Sequence, residues 1–118
     1  VANCSTPSSS AGATSRQVAS AAKAQQYREA GNRLFDEFRY ADAEAAYREA
    51  IRLDPGNADA HNDLGYMLAT VNRYPEAEAA YREAIRLNPR HAGAPDNLER
   101  LLAVNILLEA TRVPKRRR

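Results

Sequence analysis

Apolar and small residues recur every three or four positions through most of this chain, which is the spacing of helices with one buried face. In the first such stretch the residues on this face are Ala24, Tyr27, Ala30, Leu34 and Phe38. We expect that helix to begin near residues 16–21 and a second helix to follow Tyr40. The pattern predicts an all-α fold.

One segment of the chain occurs twice. Residues 43–55 return as residues 77–89 with a single change, Asp54 to Asn88, at a spacing of 34 residues. A near-copy at a fixed period indicates one helix pair used twice, because a pair that cannot bury its apolar face alone can bury it against a copy of itself. The chain is therefore predicted to be a short helix-turn-helix solenoid.

Proline and glycine positions define each repeat. Pro55 and Pro89 cannot continue a helix and end the two pairs, which gives repeats over residues 24–57 and 58–91. Each repeat also has a glycine where a neighbouring helix must approach closely and a tyrosine that fills the space left by nearby alanines. These residues are Gly31 with Tyr47 and Gly65 with Tyr81.

The order of these small, aromatic and proline positions resembles the tetratricopeptide repeat family over residues 24–89. The chain departs from the family motif at its first aromatic position, where Tyr27, His61 and Pro95 stand. The resemblance implies two tetratricopeptide repeats, and the residues that follow predict a C-terminal capping helix.

The capping helix is predicted over residues 95–111 and would complete a repeat domain over residues 20–112. Asp96 and Glu99 fall in its early turns and Arg112 near its end, as the helix dipole favours. One apolar stripe is expected to pack against the repeats and consists of Leu98, Leu101, Leu102 and Leu108.

The rest of the capping helix predicts a second apolar face, made of Val104, Ile106 and Leu107. Two repeats and one helix fall short of the three repeats that usually make a stable stack, so this face is expected to meet another molecule. That molecule would be a larger assembly or a second copy of the chain. The alternative is that the helix tilts and these residues pack on Ile85 and its neighbours.

The sequence lacks the residue patterns of catalytic and metal-binding sites. The metal-ligating side chains other than carboxylates are Cys4, His61 and His91, and no HExxH or CxxC spacing occurs. His61 stands where the resemblance puts a packing aromatic, so we expect a partly buried ring between repeats. No nucleophile has a base nearby and no glycine-rich phosphate loop is present. We therefore predict a protein that is not an enzyme, with no catalytic, cofactor or metal site.

The two ends of the chain differ in character from the repeats. Residues 1–19 are rich in Ser, Thr and Ala and are predicted to be a disordered arm. The formal charge of the 118 residues is +2, but without the basic tail of residues 113–118 the balance is negative. The tail could contact nucleic acid through charge alone, and no aromatic residues interleave it for base stacking, so we do not expect a nucleic-acid partner.

The resemblance implies a function in protein–protein interaction, because in that family the first helix of each pair lines a groove that receives a partner segment. Helical spacing places a mixed set of basic, amide, hydroxyl and aromatic side chains on this inner face. The candidate groove residues are Arg28, Asn32, Phe35, Asn62, Tyr66, Thr70 and Arg100. We predict an adaptor or scaffold that binds another protein or peptide, and as the alternative an accessory structural subunit that docks by its last helix.

One subset of the family grips the C-terminal carboxylates of chaperones. The resemblance places its basic residues at Arg28, Gly93 and Asn97, and its asparagines at Asn32 and Asp63. Only the first residue of each set fits, and Asp63 would repel a carboxylate. The sequence therefore argues against binding of a chaperone tail.

Location is predicted from weaker signals. No apolar run approaches the roughly 20 residues that span a bilayer. If Val1 is a start codon read literally, the protein is expected to be cytoplasmic, and the fifteen arginines against two lysines suggest a bacterial gene. Alternatively, residues 1–4 loosely resemble the end of a lipoprotein signal, in which case Cys4 would tether the protein to a surface.

Overall fold

The computed structural model describes residues 14–112. Within that range it contains five helices and no strand, which confirms the all-α prediction. The helices are α1 (Ser15–Asp36), α2 (Tyr40–Leu53), α3 (Ala58–Thr70), α4 (Tyr74–Leu87) and α5 (Ala94–Thr111). α1 packs on α2 and α3 on α4 as two helix pairs, and α5 follows against α4.

The first helix begins earlier than the sequence pattern predicted. Thr14 Oγ1 accepts a hydrogen bond from the Gln17 N–H at 3.1 Å, and Gln17 Oε1 accepts one from the Thr14 N–H at 2.7 Å. This reciprocal pair is a capping box, which satisfies two backbone donors at the helix start. The prediction of a disordered arm through residue 19 is therefore wrong for residues 15–19. Residues 1–13, with Cys4, and the basic tail of residues 113–118 lie outside the described part of the chain.

The other helix starts follow the sequence closely. Asn57 accepts a hydrogen bond from the Ala60 N–H at 3.3 Å and caps α3, a role typical of asparagine. Pro75 lies in the first turn of α4, where proline needs no N–H partner. α5 begins at Ala94, one residue before the predicted Pro95.

The close approach predicted at each glycine is present in both repeats, and the group that approaches is the tyrosine ring of the same repeat. A Cβ atom added to Gly31 would lie 2.6 Å from the Tyr47 ring, and one added to Gly65 would lie 2.8 Å from the Tyr81 ring. These distances are shorter than any carbon–carbon contact that packing allows, so only glycine leaves room for the ring. Both tyrosines are buried in the core.

The largest core cluster joins the second helix pair to the first and to α5. It contains Ala43, Tyr47, Leu64, Met67, Leu68, Ala77, Tyr81 and Leu101. Leu101 is the buried anchor of α5, and Leu98 packs beside it. Leu108 was expected in the same stripe but is 47% exposed. The reason is length, because α5 has 18 residues and α4 only 14, so the last turns of α5 extend beyond the surface that α4 offers.

α1 ends two residues before Phe38, which was expected on its buried face. The Arg39 N–H donates to the Leu34 carbonyl and the Phe38 N–H to the Phe35 carbonyl, both at 2.9 Å. This pair of bonds is the Schellman motif, which places the residue after the cap in the left-handed region. Phe38 accordingly has a φ of 63°, and its ring is 76% exposed.

α3 ends in the same turn 34 residues later. The Arg73 N–H donates to the Leu68 carbonyl at 2.9 Å and the Asn72 N–H to the Ala69 carbonyl at 3.0 Å. Asn72 has a φ of 67° and takes the place that Phe38 has in the first repeat. The two turns therefore share one backbone and differ in the side chain that they display.

A histidine joins α5 to the second repeat. His91 Nδ1 accepts hydrogen bonds from the Gly93 and Ala94 N–H groups, both at 3.1 Å, and so satisfies donors at the start of α5. Its Nε2 lies 2.6 Å from Asp59 Oδ1. His91 follows Asn57 by 34 residues, so an imidazole caps α5 where an asparagine caps α3.

Candidate binding groove

A groove of about 240 Å³ opens between α3, α4 and α5. Its walls include Tyr66, Thr70, Tyr81, Asn97, Arg100 and Val104. Three predicted groove residues, Tyr66, Thr70 and Arg100, are thus brought together. The other four are not part of these walls: Arg28, Asn32, Phe35 and Asn62. The volume is below that of pockets that enclose a whole small molecule, and suits one or two side chains of a longer ligand.

The groove has an aromatic floor and a polar rim. Tyr81 is buried, and this burial raises the pKa of its hydroxyl to about 12. Tyr66 is 53% exposed and offers its ring to a ligand. The Thr70 hydroxyl donates to the Tyr66 carbonyl at 2.9 Å, which leaves its oxygen as an acceptor.

Amide side chains form a row across the inner faces of α3 and α5. Asn97 Nδ2 donates to Asn62 Oδ1 at 3.1 Å, and Arg100 Nη1 donates to Asn97 Oδ1 at 3.3 Å. Both amide oxygens are occupied by these bonds. The row therefore offers a ligand the N–H groups of Asn62 and Arg100, which suit the carbonyl oxygens of a peptide.

The first repeat meets the second through an ion pair on the inner side. Arg28 Nη1 lies 2.7 Å from Asp63 Oδ2, and both side chains are largely buried. Burial raises the pKa of the Asp63 carboxyl, while the hydrogen bond from Arg28 acts against that rise. Arg28 was predicted to pair with an acidic ligand, but its partner is Asp63 of the same chain. Neither charge is thus presented alone to a ligand.

Asn32 is tied to the core rather than to a neighbouring groove residue. The Tyr47 hydroxyl donates to Asn32 Oδ1 at 2.6 Å, and burial raises the pKa of that hydroxyl, so it remains a donor. Because the Asn32 oxygen is occupied, its NH₂ group is the end that can bind a ligand carbonyl.

Aromatic side chains connect the first repeat to the groove. The Phe35 ring centroid lies 5.7 Å from that of Tyr66 and 5.4 Å from that of Tyr40, and Phe38 lies 6.2 Å from Tyr40 in an edge-to-face arrangement. Phe35 and Tyr66 were predicted from the sequence as groove residues, whereas Tyr40 and Phe38 were not. The signal that the sequence lacked was the turn at Phe38, which returns that ring to the side of Tyr40.

The predicted apolar face of α5 is solvent-exposed in the described chain. The exposed fraction is 43% for Val104, 69% for Ile106 and 63% for Leu107. Packing of these residues on Ile85 was the alternative, and their exposure argues against it. Val104 also borders the groove, so the two surfaces meet at that residue.

Acidic and histidine side chains serve contacts within the chain. Hydrogen bonds from arginines lower the pKa of Glu44 and of three glutamates on the outer helices, Glu49, Glu76 and Glu83. His61 is half-buried, and its Nε2 lies 3.2 Å from the Pro55 carbonyl oxygen. Over residues 14–112, no three potential metal ligands lie together. No helix in this range combines the length and apolar character required to cross a bilayer.

Comparison with known proteins identifies the repeat. A family model described as tetratricopeptide repeat matches residues 28–95. The chain is similar to the TPR2B domain of yeast Sti1, solved in a complex with pHsp70, with 28% identity and a TM-score of 0.68 over 75% of this chain and 71% of that one. The first TPR of Spaghetti (RPAP3), bound to the HSP90 peptide SRMEEVD, shows 17% identity and a TM-score of 0.48 over 73% of this chain and 95% of that one. No curated protein matches the sequence.

Proposed function

The chain belongs to the tetratricopeptide repeat family, a family of protein-interaction modules, and we propose that it is a non-enzymatic adaptor whose groove binds an extended segment of a partner protein. The observation that carries this proposal is the pairing of an exposed aromatic ring with side-chain donors in one groove. Tyr66 offers apolar contact and Arg100 offers N–H groups from the groove walls, and the NH₂ group of Asn62 lies next to them through the hydrogen bond between Asn62 and the wall residue Asn97. An extended segment has unpaired backbone carbonyls that such donors can bind.

The partner is not expected to be the carboxylate tail of a chaperone. The Sti1 domain is described in a complex with pHsp70, and the same partner class could be considered for this chain. In this chain, however, Arg28 is bound to Asp63, and Gly93 and Asn97 bring no positive charge. Arg100 alone gives a terminal carboxylate little to bind. We therefore propose an internal segment of a partner, held by its backbone carbonyls and apolar side chains.

The experiment compares proteins captured by the intact chain and by a groove variant. Tyr66→Ala combined with Arg100→Ser removes the exposed ring and one donor without touching the glycine–tyrosine core. Immobilised wild type and variant are incubated with extract of the source cells, and captured proteins are quantified by mass spectrometry. We expect at least one protein to be retained by wild type and lost with the groove variant.

The matched control is Arg82→Ser, which removes an exposed arginine from the outer helix α4. It should retain the same proteins as wild type. Circular dichroism must show equal helix content for all three chains. If the groove variant and wild type retain the same proteins in equal amounts, the groove does not bind the partner.

The alternative function is an accessory subunit that docks through α5, and the exposure of Ile106 and Leu107 favours it. Leu107→Glu places a charge on this face and should release the chain from an assembly or from a second copy. Sedimentation velocity over a wide concentration range would reveal self-association. A protein that is captured by wild type and lost with the Leu107→Glu variant would be a partner that docks through α5. A monomer at all concentrations, with capture unaffected by Leu107→Glu, would rule this function out.

A further inference from the structure

Phe38 has a backbone conformation that is unfavourable for phenylalanine. A bulky side chain in the left-handed region is strained, and glycine or asparagine is the usual occupant of this place in a Schellman motif. The second repeat uses Asn72 there, so the turn itself does not need an aromatic residue. The Phe38 ring is 76% exposed and contributes little burial to the core. Strain kept for a side chain that points to solvent is an indication of function.

Phe38 belongs to a continuous row of rings, which we call the aromatic strip and which consists of Phe38, Tyr40, Phe35 and Tyr66. Successive ring centroids along it lie 6.2, 5.4 and 5.7 Å apart. Its far end, Tyr66, is a wall of the groove. The strip therefore extends the groove from α3 to the turn between α1 and α2.

The charged side chains along the strip are paired with one another. Arg39 contacts Glu37 at 3.7 Å and Asp42 at 2.8 Å. Arg73, near the other side of Tyr40, contacts Glu44 at 2.7 Å and Glu76 at 2.6 Å. Each of these two arginines is paired with two carboxylates, so neither is left to bind an acidic ligand, and the strip offers apolar contact instead.

We propose that the aromatic strip docks a proline-rich segment of the partner in the polyproline II conformation. This rests on the proposed function and names the class of segment that the groove receives. A polyproline II chain rises about 3.1 Å per residue, so alternate residues are about 6.2 Å apart, close to the spacing of the rings. Proline-rich segments in this conformation dock in aromatic-lined grooves.

The backbone of the ligand supports the same choice. A polyproline II segment has no internal hydrogen bonds, so its carbonyls need donors such as the Asn32 NH₂ group and the Tyr66 hydroxyl. A helix satisfies its own carbonyls and would leave these donors without partners.

The test is a fluorescence anisotropy titration of the full chain with a labelled ten-residue polyproline peptide. We expect saturable binding to wild type, and weakening of about three- to tenfold in Phe38→Asn, the range for loss of one aromatic contact. Phe38→Asn adopts the residue that the second repeat already uses, so it should fold at least as well as wild type. Val18→Ser removes another exposed apolar side chain, on α1 away from the strip, and should leave the affinity unchanged.

The comparison peptides are a glycine–serine decamer and an amphipathic helical peptide. No saturation with polyproline, equal affinity in wild type and Phe38→Asn, or tighter binding of the helical peptide would each overturn the proposal. The capture experiment with Tyr66→Ala and Arg100→Ser is independent of these results. Captured proteins that depend on Tyr66, together with failure of polyproline to bind, would reject the proline-rich class and leave the groove as the partner site.

Discussion

The two repeats have the same packing residues and different surfaces. Their outer helices α2 and α4 are nearly identical in sequence, and Tyr47 and Tyr81 lie against glycines in the same way. Their inner helices and turns differ at matching positions, which include Arg28 and Asn62, Asn32 and Tyr66, and Phe38 and Asn72. Positions that carry the fold are thus repeated, and positions that face the groove are not. The difference therefore lies in the inner helices and the turns, where the two repeats present different side chains.

α5 has only some of the packing residues that α3 has. It follows α3 by one period, and Leu98 and Leu101 take the places of Leu64 and Met67. At the place of Gly65, however, it carries the exposed Glu99. A tyrosine from a further outer helix could not lie against this side chain as Tyr81 lies against Gly65. α5 therefore packs on the core as an inner helix does, through Leu98 and Leu101. The side of α5 that carries Glu99 has no outer helix against it in the described chain.

The largest effect is expected where both repeats depend on glycine. Gly31→Ala and Gly65→Ala should each lower the free energy of unfolding by about 1–2 kcal/mol, because overpacking against the tyrosine ring outweighs the better helix propensity of alanine. Urea denaturation followed by circular dichroism measures this. Gly56→Ala is the control, since a Cβ atom there meets nothing within 4 Å. Equal stability of all three variants would mean that the rings move aside freely.

The caps of α3 and α5 test whether an imidazole can replace an asparagine. His91→Ala should lower the free energy of unfolding by about 1 kcal/mol, as Asn57→Ala should, because each leaves backbone donors at a helix start unsatisfied. His91→Asn should recover most of the loss, since asparagine performs this role one repeat earlier. Thermal unfolding of the three variants makes the comparison. A neutral His91→Ala would show that α5 does not need the His91 bonds.

The two turns offer an exchange of side chains on one backbone. Phe38→Asn should raise the free energy of unfolding by about 0.5–1 kcal/mol and Asn72→Phe should lower it by a similar amount, because asparagine tolerates the left-handed region and phenylalanine does not. Chemical denaturation of both variants and of the double exchange measures the effects. A loss of stability in Phe38→Asn would assign Phe38 a role in the fold and not in binding.

The smallest effects separate the two ion pairs between repeats by their pH dependence. Burial raises the pKa of Asp63 above its ordinary value of 3.8, so its contribution to stability is present below that pH and is lost as pH rises through the folded pKa. The hydrogen bond from Arg73 lowers the pKa of Glu44 below 4.5, so its contribution is present above pH 4.5 and is lost as pH falls. Each contribution is expected to be about 0.5 kcal/mol or less.

The measurement is the free energy of unfolding of Asp63→Asn and Glu44→Gln relative to wild type between pH 3 and 7. As pH rises, Asp63→Asn should gain relative to wild type and Glu44→Gln should lose. The same trend in both variants would contradict the opposite pKa directions.

Local features of the sequence were enough for most of the fold. The near-copy at a spacing of 34 residues can be read directly from the sequence, and the prolines at the repeat ends act on neighbours a few residues away; both predicted the structure correctly. The capping box of Thr14 and Gln17 obeys an equally local rule and could have been found. The left-handed turn at Phe38 was not predicted because this position normally holds glycine or asparagine, and phenylalanine gives no signal of such a turn.

What the sequence by itself determined is therefore the number of helices, the boundaries of the repeats and the small and aromatic positions that pack, because periodicity and residue size act through the chain's own helices and their nearest neighbours. What only the tertiary structure decided is which surface side chains meet. Arg28 with Asp63 and Asn62 with Asn97 are 35 residues apart, and Phe35 with Tyr66 are almost as far. Such pairs depend on how one repeat is placed against the next. Because many packing contacts set that placement together, no single position in the sequence predicts it.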